Sequence, residues 1–281
     1  MKTVLFGGDE RQIYAASYLK KKGHDASIYA IDRKTLQKYG AKDLFTDSYN
    51  DAEVIVFPLP FSRDGATVNC PFMNGQIFVG ELFKKIKKGT RIFAGMAGAF
   101  AKSAAREYGH ELTDYYDSEE LQIRNAVPTA EGAIWTYMNN SRRTMFGSRF
   151  IVSGFGKVGK CLADRLYKLG GKVTAAVRGE KDVAIADAMG IEAVLCDDLT
   201  RSSPVADCIF NTVPCNIFSK EFVSSLRDET IYIELASKPF GMGRESAAVL
   251  GARYVAAPSL PGKTAPATSG EIIGNIICKY L

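Results

Sequence analysis

Hydrophobic residues recur along this chain in short runs separated by tight turns and amphipathic stretches. In residues 1–31, an apolar run and a glycine turn precede an amphipathic stretch that ends at Gly23 and a second apolar run, DASIYAI. Residues 149–178 repeat this order with RFIVSGF, VGKCLADRLYKL and KVTAAVR. Short apolar runs between turn residues predict strands, and the amphipathic stretches predict helices. Each region is therefore predicted to form a β–α–β unit.

The two regions are related by a constant offset of 147 residues, which places Gly7 on Gly154 and Leu19 on Leu166. Later segments match as well: EVIVFPLP with DCIFNTVP, RIFAGMAG with IYIELASK, and VPTAEGAI with APATSGEII. Repeated strand–helix alternation predicts a parallel sheet covered by helices on both faces. The expected fold is therefore α/β, with two doubly wound Rossmann-like lobes and a cleft between them.

Two segments that follow proline turns, residues 129–145 and 267–281, are predicted to be helices that link the lobes as hinges. The last helix is expected to return to the first lobe, which is then discontinuous in sequence. The expected first lobe comprises residues 1–126 and 267–281, and the second, cofactor-binding lobe comprises residues 127–266.

The second region carries a G-x-G-x-x-G motif at Gly154, Gly156 and Gly159, between a predicted strand and a predicted helix. The first glycine permits a tight turn, the second lets backbone N–H groups approach a pyrophosphate, and the third allows the helix to pack closely on the strand. The helix N-terminus adds N–H donors and a positive dipole end. The motif predicts a dinucleotide site; the alternative is a glycine turn without a ligand.

The end of the next strand decides between the nicotinamide cofactors. NAD-binding units usually place an acidic residue there, whereas this chain has Arg178, with Lys181 nearby and no carboxylate before Glu180. A guanidinium suits the 2′-phosphate of NADP, so NADP is predicted, with NAD as the alternative. Arg178 could otherwise be a solvated strand end. The predicted cofactor-binding residues are Gly154, Phe155, Gly156, Lys157, Val158, Gly159, Arg178, Thr212, Val213, Pro214, Leu235 and Ala236.

The N-terminal copy of the glycine loop lacks two of the three glycines of the dinucleotide-binding motif. At the offset of 147, Asp9 stands where the second region has Gly156, and Gln12 stands at Gly159. A carboxylate repels a pyrophosphate, so the first lobe is not expected to bind a dinucleotide. Asp9 is expected either to line the substrate side of the cleft or to cap the helix. Arg11 beside a helix N-terminus is a candidate anion site.

Composition narrows the class of protein. With 281 residues, 46% hydrophobic and 24% charged, the chain is typical of a globular protein of two domains. The net charge of +5 is spread along the sequence, so no nucleic-acid partner is expected. Six cysteines without a C-x-x-C pair predict reduced thiols and no metal site. No signal peptide or membrane-spanning run is recognised, so a cytoplasmic location away from the membrane is expected.

Several segments together resemble one family: GGDERQ, LPFSRDGATVNCP, NAVPTAEGAI, GFGKVGKCLADRL, IFNTVP, LASKP and LPGKTAPATSGEII. The resemblance is to the A subunits of dipicolinate synthase from spore-forming bacteria, and it covers essentially the whole chain. One departure is SKPFGMG, where the family usually has two glycines after the proline and this chain has Phe240. This residue puts the shape of that loop in question.

The resemblance implies a reaction, a location and a partner. The reaction is oxidation, at a CH–CH bond, of a dihydrodipicolinate-type lysine-pathway intermediate to pyridine-2,6-dicarboxylate during sporulation. Hydride passes to nicotinamide and a proton leaves the neighbouring ring carbon, so the enzyme chiefly positions a dianionic ring. The family also implies the mother-cell cytoplasm and a partner, the flavoprotein-like B subunit of dipicolinate synthase. A homo-oligomer is expected as well.

Polar and cationic residues at the predicted carboxyl ends of strands are candidates for holding the two carboxylates. No proton acceptor is identified among them, and Arg63 and Lys238 could instead point to solvent. The predicted substrate-binding residues are Arg11, Ser62, Arg63, Thr129, Asn211, Ser237, Lys238, Lys263 and Thr264.

Four residues near the predicted hinge helices have structural interpretations. Thr129 and Ser269 occupy corresponding positions of the repeat; for both, a role as helix N-cap is favoured, with ligand contact as the alternative that keeps Thr129 among the substrate-binding candidates. Glu131 is expected to be a first-turn carboxylate that favours the helix dipole, with a catalytic base as the alternative. Trp135 is expected to pack in the core.

The two histidines argue against one rival function. His24 and His110 each follow a glycine at a helix–strand junction, at the end of the sheet opposite the expected cleft. Two-lobed 2-hydroxyacid dehydrogenases need a histidine acid/base, so that alternative is weakened. A shikimate-dehydrogenase-like reductase would need a Lys–Asp pair, of which none is convincing here. A cofactor-binding regulatory protein, whose chemistry lies on a partner, stays open as the third alternative.

Overall fold

The computed structural model describes residues 1–201 and 205–281. The chain divides into two compact units: unit 1 comprises Met1–Asn125 and Ala265–Leu281, and unit 2 comprises Ala126–Thr264. No helix in the described ranges is both long enough and apolar enough to cross a membrane.

The strands are short and mostly buried, as expected for parallel sheets covered on both faces. In chain order they are β1 (Thr3–Phe6), β2 (Ala26–Tyr29), β3 (Val54–Val56), β4 (Arg91–Ala94), β5 (Leu112–Asp114), β6 (Arg149–Ser153), β7 (Lys172–Val177), β8 (Glu192–Leu195), β9 (Cys208–Asn211), β10 (Ile231–Glu234) and β11 (Tyr254–Ala256).

Helices follow most of the strands. In chain order they are α1 (Glu10–Lys21), α2 (Arg33–Lys38), α3 (Val79–Lys85), α4 (Gly98–Glu107), α5 (Glu119–Asn140), α6 (Lys157–Lys168), α7 (Glu180–Ala188), α8 (Cys196–Arg201), α9 (Lys220–Ser224), α10 (Arg244–Leu250), α11 (Leu260–Thr264) and α12 (Pro266–Cys278). Short 3-10 helices lie at Lys42–Leu44, Tyr115–Asp117 and Gly251–Arg253.

Each unit contains one parallel sheet. The strand order is β2-β1-β3-β4-β5 in unit 1 and β11-β10-β9-β6-β7-β8 in unit 2. The chain reverses its direction of travel across the sheet between β1 and β3 in unit 1, and between β6 and β9 in unit 2. These are the switch points at which open α/β sheets bind ligands. The two parallel sheets confirm the predicted Rossmann-like α/β fold.

The core of each unit forms on both faces of its sheet because successive strand residues point to opposite sides. In β1, Leu5 packs in one cluster and Val4 and Phe6 pack in the other. In β6, Val152 and Ile151 are divided in the same way. Each of these side chains is at most 5% exposed, and full burial of such a side chain contributes about 1.5–3 kcal/mol.

The last helix, α12, packs closely against α1 in unit 1. Glycines at the contact make this approach possible, since a Cβ at Gly270 would lie 2.5 Å from the Arg11 carbonyl oxygen. A Cβ at Gly274 would lie 2.9 Å from Cδ1 of Tyr18. The packing brings the end of the sequence onto the first helix.

Both ends of the predicted helix 129–145 are wrong. Helix α5 begins at Glu119 and runs through Pro128 to Asn140. Ser118 accepts the Leu121 N–H at 3.3 Å, and two glutamates occupy the first turn, so the helix already has a favourable N-terminus. Pro128 only forgoes one backbone hydrogen bond inside it.

Four expectations based on these helices are also wrong. Thr129 lies in the middle of α5 and therefore cannot cap it. Ser269 lies one turn inside α12, which follows Ala265. Glu131 is likewise past the first turn and approaches Nε of Arg165 at 3.6 Å. Trp135 is 57% exposed, because the helical period that buries Ala130, Ala133, Ile134 and Tyr137 turns position 135 outward.

Candidate functional site

The glycine loop of unit 2 connects β6 to α6 at the β6–β9 switch point. Gly154 has φ +91°, a conformation that favours glycine. A Cβ there would overlap Oγ1 of Thr212 and lie 2.8 Å from Cγ2 of Val213. A Cβ at Gly159 would overlap the carbonyl oxygen of Gly154. Glycine is therefore required at both positions for the turn and for the packing of helix on strand.

Gly156 has a different environment. It is exposed, with φ −77° and ψ −163°, and no heavy atom lies within 4 Å of the place where its Cβ would be. No side chain of the described residues caps the N-terminus of α6 at this position. Of the three glycines of the motif, Gly156 is thus the one with open space beside it, and a pyrophosphate fits this arrangement.

The neighbours of the loop are held by local contacts. Phe155 is buried, and the Lys160 ammonium lies 5.4 Å from the centre of its ring. Lys160 also approaches Oδ1 of Asp182 at 3.4 Å, which connects α6 to α7. Lys157 is exposed and Val158 is half-buried at the start of α6. Phe155 is 5% exposed, so its ring serves the packing of the loop rather than contact with a ligand.

Arg178 directly follows β7, at the same carboxyl edge of the sheet as the glycine loop. Its side chain is exposed, and no residue in the described ranges hydrogen-bonds to it or forms an ion pair with it. Lys181 is exposed on the first turn of α7. A cation at this strand end is therefore available to an anionic group of a bound dinucleotide.

The segment after β9 lies beside the glycine loop. The Thr212 backbone N–H and hydroxyl both donate to the Ser153 carbonyl oxygen, at 2.9 and 2.8 Å. Val213 is buried, and Pro214 is exposed. The structure thus brings Thr212, Val213 and Gly154 together at the switch point, as expected for residues predicted to surround a cofactor.

A buried carboxylate, Glu234, was missed by sequence reasoning. It ends β10, is 2% exposed, and accepts hydrogen bonds on both oxygens. Oε1 accepts from Nδ2 of Asn211 at 2.7 Å and from the Ala236 N–H at 3.1 Å. Oε2 accepts from the Gly241 N–H at 2.8 Å and from the Tyr232 hydroxyl at 3.3 Å. Burial raises the pKa of Glu234, while these four donors favour its ionised form.

Glu234 fixes the loop 235–241 at both of its ends. Leu235 and Ala236 are half-buried, whereas Ser237 and Lys238 are exposed. Phe240 has φ +67°, so the loop keeps a backbone conformation that favours glycine at the position where the family usually has one. The loop therefore keeps this backbone conformation with a phenylalanine in place of the glycine.

Asn211 belongs to the same network. It is fully buried, donates from Nδ2 to Val213 O at 2.9 Å and to Glu234, and accepts the Val213 N–H at 3.1 Å. Both ends of its amide are therefore used inside the protein, so it shapes the site rather than reaching a ligand. A sequence signal existed: Asn211 and Glu234 are polar residues that end two neighbouring buried strands.

The glycine turn of unit 1 is filled by its own chain. The Gly8 N–H donates to the Asn69 carbonyl oxygen at 2.9 Å, and a Cβ at Gly7 would overlap Sγ of Cys70. Gln12 donates from Nε2 to the Val56 carbonyl oxygen at 2.8 Å. These contacts engage the Gly8 N–H and place side chains of unit 1 against its own turn, which supports the prediction that only the second lobe binds a dinucleotide.

The N-terminus of α1 already has an anion of its own. Asp9 caps it by accepting the Arg11 N–H at 3.1 Å, which confirms the capping interpretation. The same carboxylate accepts from Nε and Nη2 of Arg11 at 2.9 and 2.7 Å. Arg11 also donates to the Leu59 carbonyl oxygen, and its side chain is 6% exposed. Its charge is thus neutralised within unit 1.

Ser62 and Arg63 lie in a turn after β3 that Asp64 organises. Asp64 accepts from the Ala66 and Thr67 N–H groups at 2.9 and 2.8 Å, and from the Thr67 and Ser62 hydroxyls at 2.6 and 3.0 Å. These hydrogen bonds hold the pKa of Asp64 well below its ordinary value. Ser62 is therefore used within the turn, whereas the guanidinium of Arg63 is exposed.

The last predicted substrate residues lie in unit 2 around α11. Thr264 donates to the Leu260 carbonyl oxygen at 2.9 Å, and its Oγ1 would lie 2.8 Å from a Cβ at Gly132 of α5. Thr129 is one turn earlier on α5 and half-buried, and Lys263 is exposed. Thr264 therefore packs on α5, and Lys263 is the accessible cation of this group.

Both histidines lie at the amino-terminal edge of the unit 1 sheet, opposite the Gly7–Gly8 turn. His24 precedes β2 and His110 precedes β5. His110 is buried, with Nε2 2.9 Å from the Phe83 carbonyl oxygen. Their position confirms that neither faces the carboxyl ends of these strands.

Comparison with known proteins agrees with these features. A family model for the N-terminal domain of the A subunit of dipicolinate synthase matches residues 2–116. The dipicolinate synthase A subunit of Bacillus subtilis (strain 168) is 26% identical over 284 residues, an alignment that covers 100% of this chain and 96% of that protein. This chain resembles the dipicolinate synthase A subunit along its whole length. The family resemblance predicted from the sequence is confirmed.

Solved structures show the same relationship. The crystal structure of the dipicolinate synthase A chain from Bacillus subtilis matches with a TM-score of 0.85 at 25% identity, covering 100% of this chain and 95% of that one. The apo-structure of Escherichia coli D-lactate dehydrogenase matches with a TM-score of 0.65 at 14% identity, covering 100% and 96%, and shows the fold alone. Together they show a dehydrogenase-like Rossmann fold and a likeness to the dipicolinate synthase A chain over the whole length.

Proposed function

We propose that this protein is an NADP-dependent dehydrogenase that oxidises a dihydrodipicolinate-type intermediate to pyridine-2,6-dicarboxylate. The observation that carries the proposal is the open glycine loop of unit 2, in a chain that resembles the dipicolinate synthase A subunit along its whole length. Gly154 and Gly159 make the turn, and Gly156 leaves room above the N-terminus of α6. NAD is the alternative cofactor.

The residues of unit 2 fit a dinucleotide. The backbone of Phe155, Gly156 and Val158 would hold the pyrophosphate, and Arg178 would hold a 2′-phosphate by charge-assisted hydrogen bonds. When bound, the nicotinamide ring accepts a hydride. Further contacts would come from the segments after β9 and β10, at Thr212, Val213, Pro214, Leu235 and Ala236.

The substrate carries two carboxylates, which require cationic or N–H-rich contacts. Each unit, taken by itself, exposes candidate groups of this kind: the guanidinium of Arg63 in unit 1, and the ammonium groups of Lys238 and Lys263 with the hydroxyl of Ser237 in unit 2. Arg11 and Asn211 are committed to internal hydrogen bonds, so we assign them supporting roles. Aromatisation of the ring drives the reaction. The protein's contribution is to hold the dianion in the one orientation that faces the nicotinamide.

The biological setting follows from the same proposal. The Bacillus subtilis relative is named as one subunit of its synthase, which implies a second subunit in that complex. We infer for this chain a flavoprotein-like partner, the B subunit of dipicolinate synthase, together with a homo-oligomeric assembly and action in the cytoplasm of the mother cell during sporulation.

The experiment that tests the proposal follows reduced-nicotinamide absorbance with the purified chain, freshly generated dihydrodipicolinate, and NADP or NAD. Each pair is run with and without the flavoprotein-like partner. Faster reduction of NADP, weakened in Arg178→Asp, is expected. Lys172→Asp is the matched control, because Lys172 is an exposed cation at the opposite end of the same strand. Tight NADP binding without reduction under any combination would instead favour the regulatory alternative.

A further inference from the structure

The loop after β3 in unit 1 holds one arginine in a defined orientation. Nε of Arg63 donates to Oδ1 of Asn69 at 3.1 Å. No described residue accepts from Nη1 or Nη2 of Arg63. An exposed arginine normally samples many rotamers, and fixing it has an entropic cost. The Nε–H of this guanidinium is thus anchored by Asn69. The opposite edge, where Nη1 and Nη2 each point one N–H in the same direction, stays available to a ligand.

Asn69 is itself firmly placed. It is 7% exposed, its Nδ2 donates to the Pro60 carbonyl oxygen at 3.3 Å, and its N–H donates to the Phe61 carbonyl oxygen at 2.8 Å. Its carbonyl oxygen accepts the Gly8 N–H at 2.9 Å. Every polar group of Asn69 therefore has a partner, so the side chain is a rigid anchor for Arg63.

This anchor lies at the β1–β3 switch point of unit 1. A Cβ at Gly8 would lie 2.9 Å from Cβ of Pro58, so the turn after β1 and the loop after β3 meet there. Ligands of open α/β sheets bind at such points. In unit 1 the Asn69 carbonyl oxygen occupies the Gly8 N–H, so the N–H donor of the turn is lost and an arginine is presented nearby instead.

We propose that Asn69 is a positioning residue that presents the Arg63 guanidinium as a bidentate site for a carboxylate of the substrate. The inference rests on the proposed function, because it takes the ligand to be the pyridine dicarboxylate or its dihydro precursor. Planar pairing of two guanidinium N–H groups with two carboxylate oxygens gives orientation as well as affinity. Unit 1 thereby replaces a pyrophosphate-binding turn with a carboxylate-binding one.

The test compares the full-length variants Asn69→Ala, Asn69→Asp, Arg63→Lys and Arg63→Gln. Binding of pyridine-2,6-dicarboxylate and of pyridine-2-carboxylate is measured by calorimetry, together with NADP affinity and the KM and kcat of turnover. Arg106→Ala is the control, since Arg106 is an exposed arginine on α4, away from this loop. Arg63 is exposed, so its variants are informative even where Asn69→Ala folds poorly.

We expect the loss of dicarboxylate affinity to depend on the charge at positions 63 and 69. Asn69→Asp keeps an acceptor for Nε but neutralises the guanidinium, so it should weaken dicarboxylate binding more than Asn69→Ala does. Arg63→Gln should lose about tenfold or more in affinity, and Arg63→Lys less, with NADP affinity unchanged in all variants. KM should rise more than kcat falls. If Asn69 only stabilised the fold, Asn69→Asp would not weaken dicarboxylate binding more than Asn69→Ala does.

Two results would overturn the inference separately from the proposed function. In the first, the wild type turns over, but Asn69→Asp and Arg63→Gln bind the dicarboxylate as tightly as the wild type does. The proposed function then holds, and the proposed carboxylate site is wrong. In the second, the wild type does not turn over, but its dicarboxylate binding still depends on Arg63. The proposed function is then wrong, and the carboxylate site holds. A wild type that binds no dicarboxylate contradicts the site as well.

Discussion

The carboxylate of Glu234 accepts a hydrogen bond from Nδ2 of Asn211 at 2.7 Å, joining the ends of two neighbouring buried strands. Asn211 in turn fixes Val213 beside the glycine loop, and Glu234 fixes both ends of the loop 235–241. A Cβ at Gly241 would overlap Nδ2 of Asn211 and the Tyr232 hydroxyl. One buried network therefore shapes two segments that border the proposed cofactor.

Replacing the Glu234 carboxylate with an amide should weaken this network. All groups that face Glu234 are donors, so the amide of Glu234→Gln must direct its NH₂ at another donor in either orientation. We expect the free energy of unfolding to fall by about 1–3 kcal/mol and NADP affinity to fall with it. Denaturant unfolding and calorimetry measure the two quantities. In the control Glu245→Gln, an exposed position on α10, the free energy of unfolding should change by less than about 0.5 kcal/mol; equal effects in both variants would contradict the network.

Two glycines of the loop should separate binding from stability. Gly156→Ala meets open space at an allowed φ of −77°, so the free energy of unfolding should change by less than about 1 kcal/mol. NADP affinity should fall about tenfold or more, because the methyl group enters the space for the pyrophosphate. Gly159→Ala should instead destabilise the fold by about 1–3 kcal/mol through overlap with the Gly154 carbonyl.

Thermal unfolding and cofactor titration of these two variants give the comparison. Retained NADP affinity in Gly156→Ala would show that the open space above α6 is not the pyrophosphate site.

These glycines and Arg178 could be placed from the sequence because their signal is local. A strand, a turn and a helix within thirty or so residues define the loop, and the strand end defines Arg178. Glu234, Asn211 and Asn69 could not be placed in the same way, because their partners are distant in sequence or depend on how loops fold. Pro128 gave a turn signal that the N-terminal residues of α5 overrode, whereas the outward position of Trp135 was readable from the helical period.

Phe240 allows a test of backbone strain. Its φ of +67° costs an L-amino acid about 1–2 kcal/mol relative to glycine. Phe240→Gly and Phe240→Ala both remove the ring, but only glycine relieves the backbone. The entropic cost of ordering glycine offsets part of this gain. We therefore expect the free energy of unfolding, measured with denaturant, to be about 1 kcal/mol higher for Phe240→Gly than for Phe240→Ala. Equal stability would mean that the loop relaxes in the alanine variant.

Asp64 should make the turn around Arg63 sensitive to acid. Hydrogen bonds from the Thr67 hydroxyl and N–H lower its pKa in the folded chain. The folded state therefore binds its proton less readily than the unfolded state, so its stabilising effect is complete above the unfolded pKa of about 3.9 and is lost as the pH falls towards the folded pKa. Free energies of unfolding of wild type and Asp64→Asn, measured by denaturant titration, should differ most near neutral pH and converge in acid. A difference that grows in acid would contradict this assignment.

The most direct test of the proposed function is the identity and amount of product. The purified chain is incubated with NADP and freshly generated dihydrodipicolinate, without oxygen, and NADPH and pyridine-2,6-dicarboxylate are quantified together by absorbance and mass spectrometry. A protein-free sample measures spontaneous oxidation. Equal amounts of NADPH and pyridine-2,6-dicarboxylate, formed only with the wild-type chain, are predicted. Pyridine-2,6-dicarboxylate that forms equally without the protein, or without matching NADPH, would contradict the account.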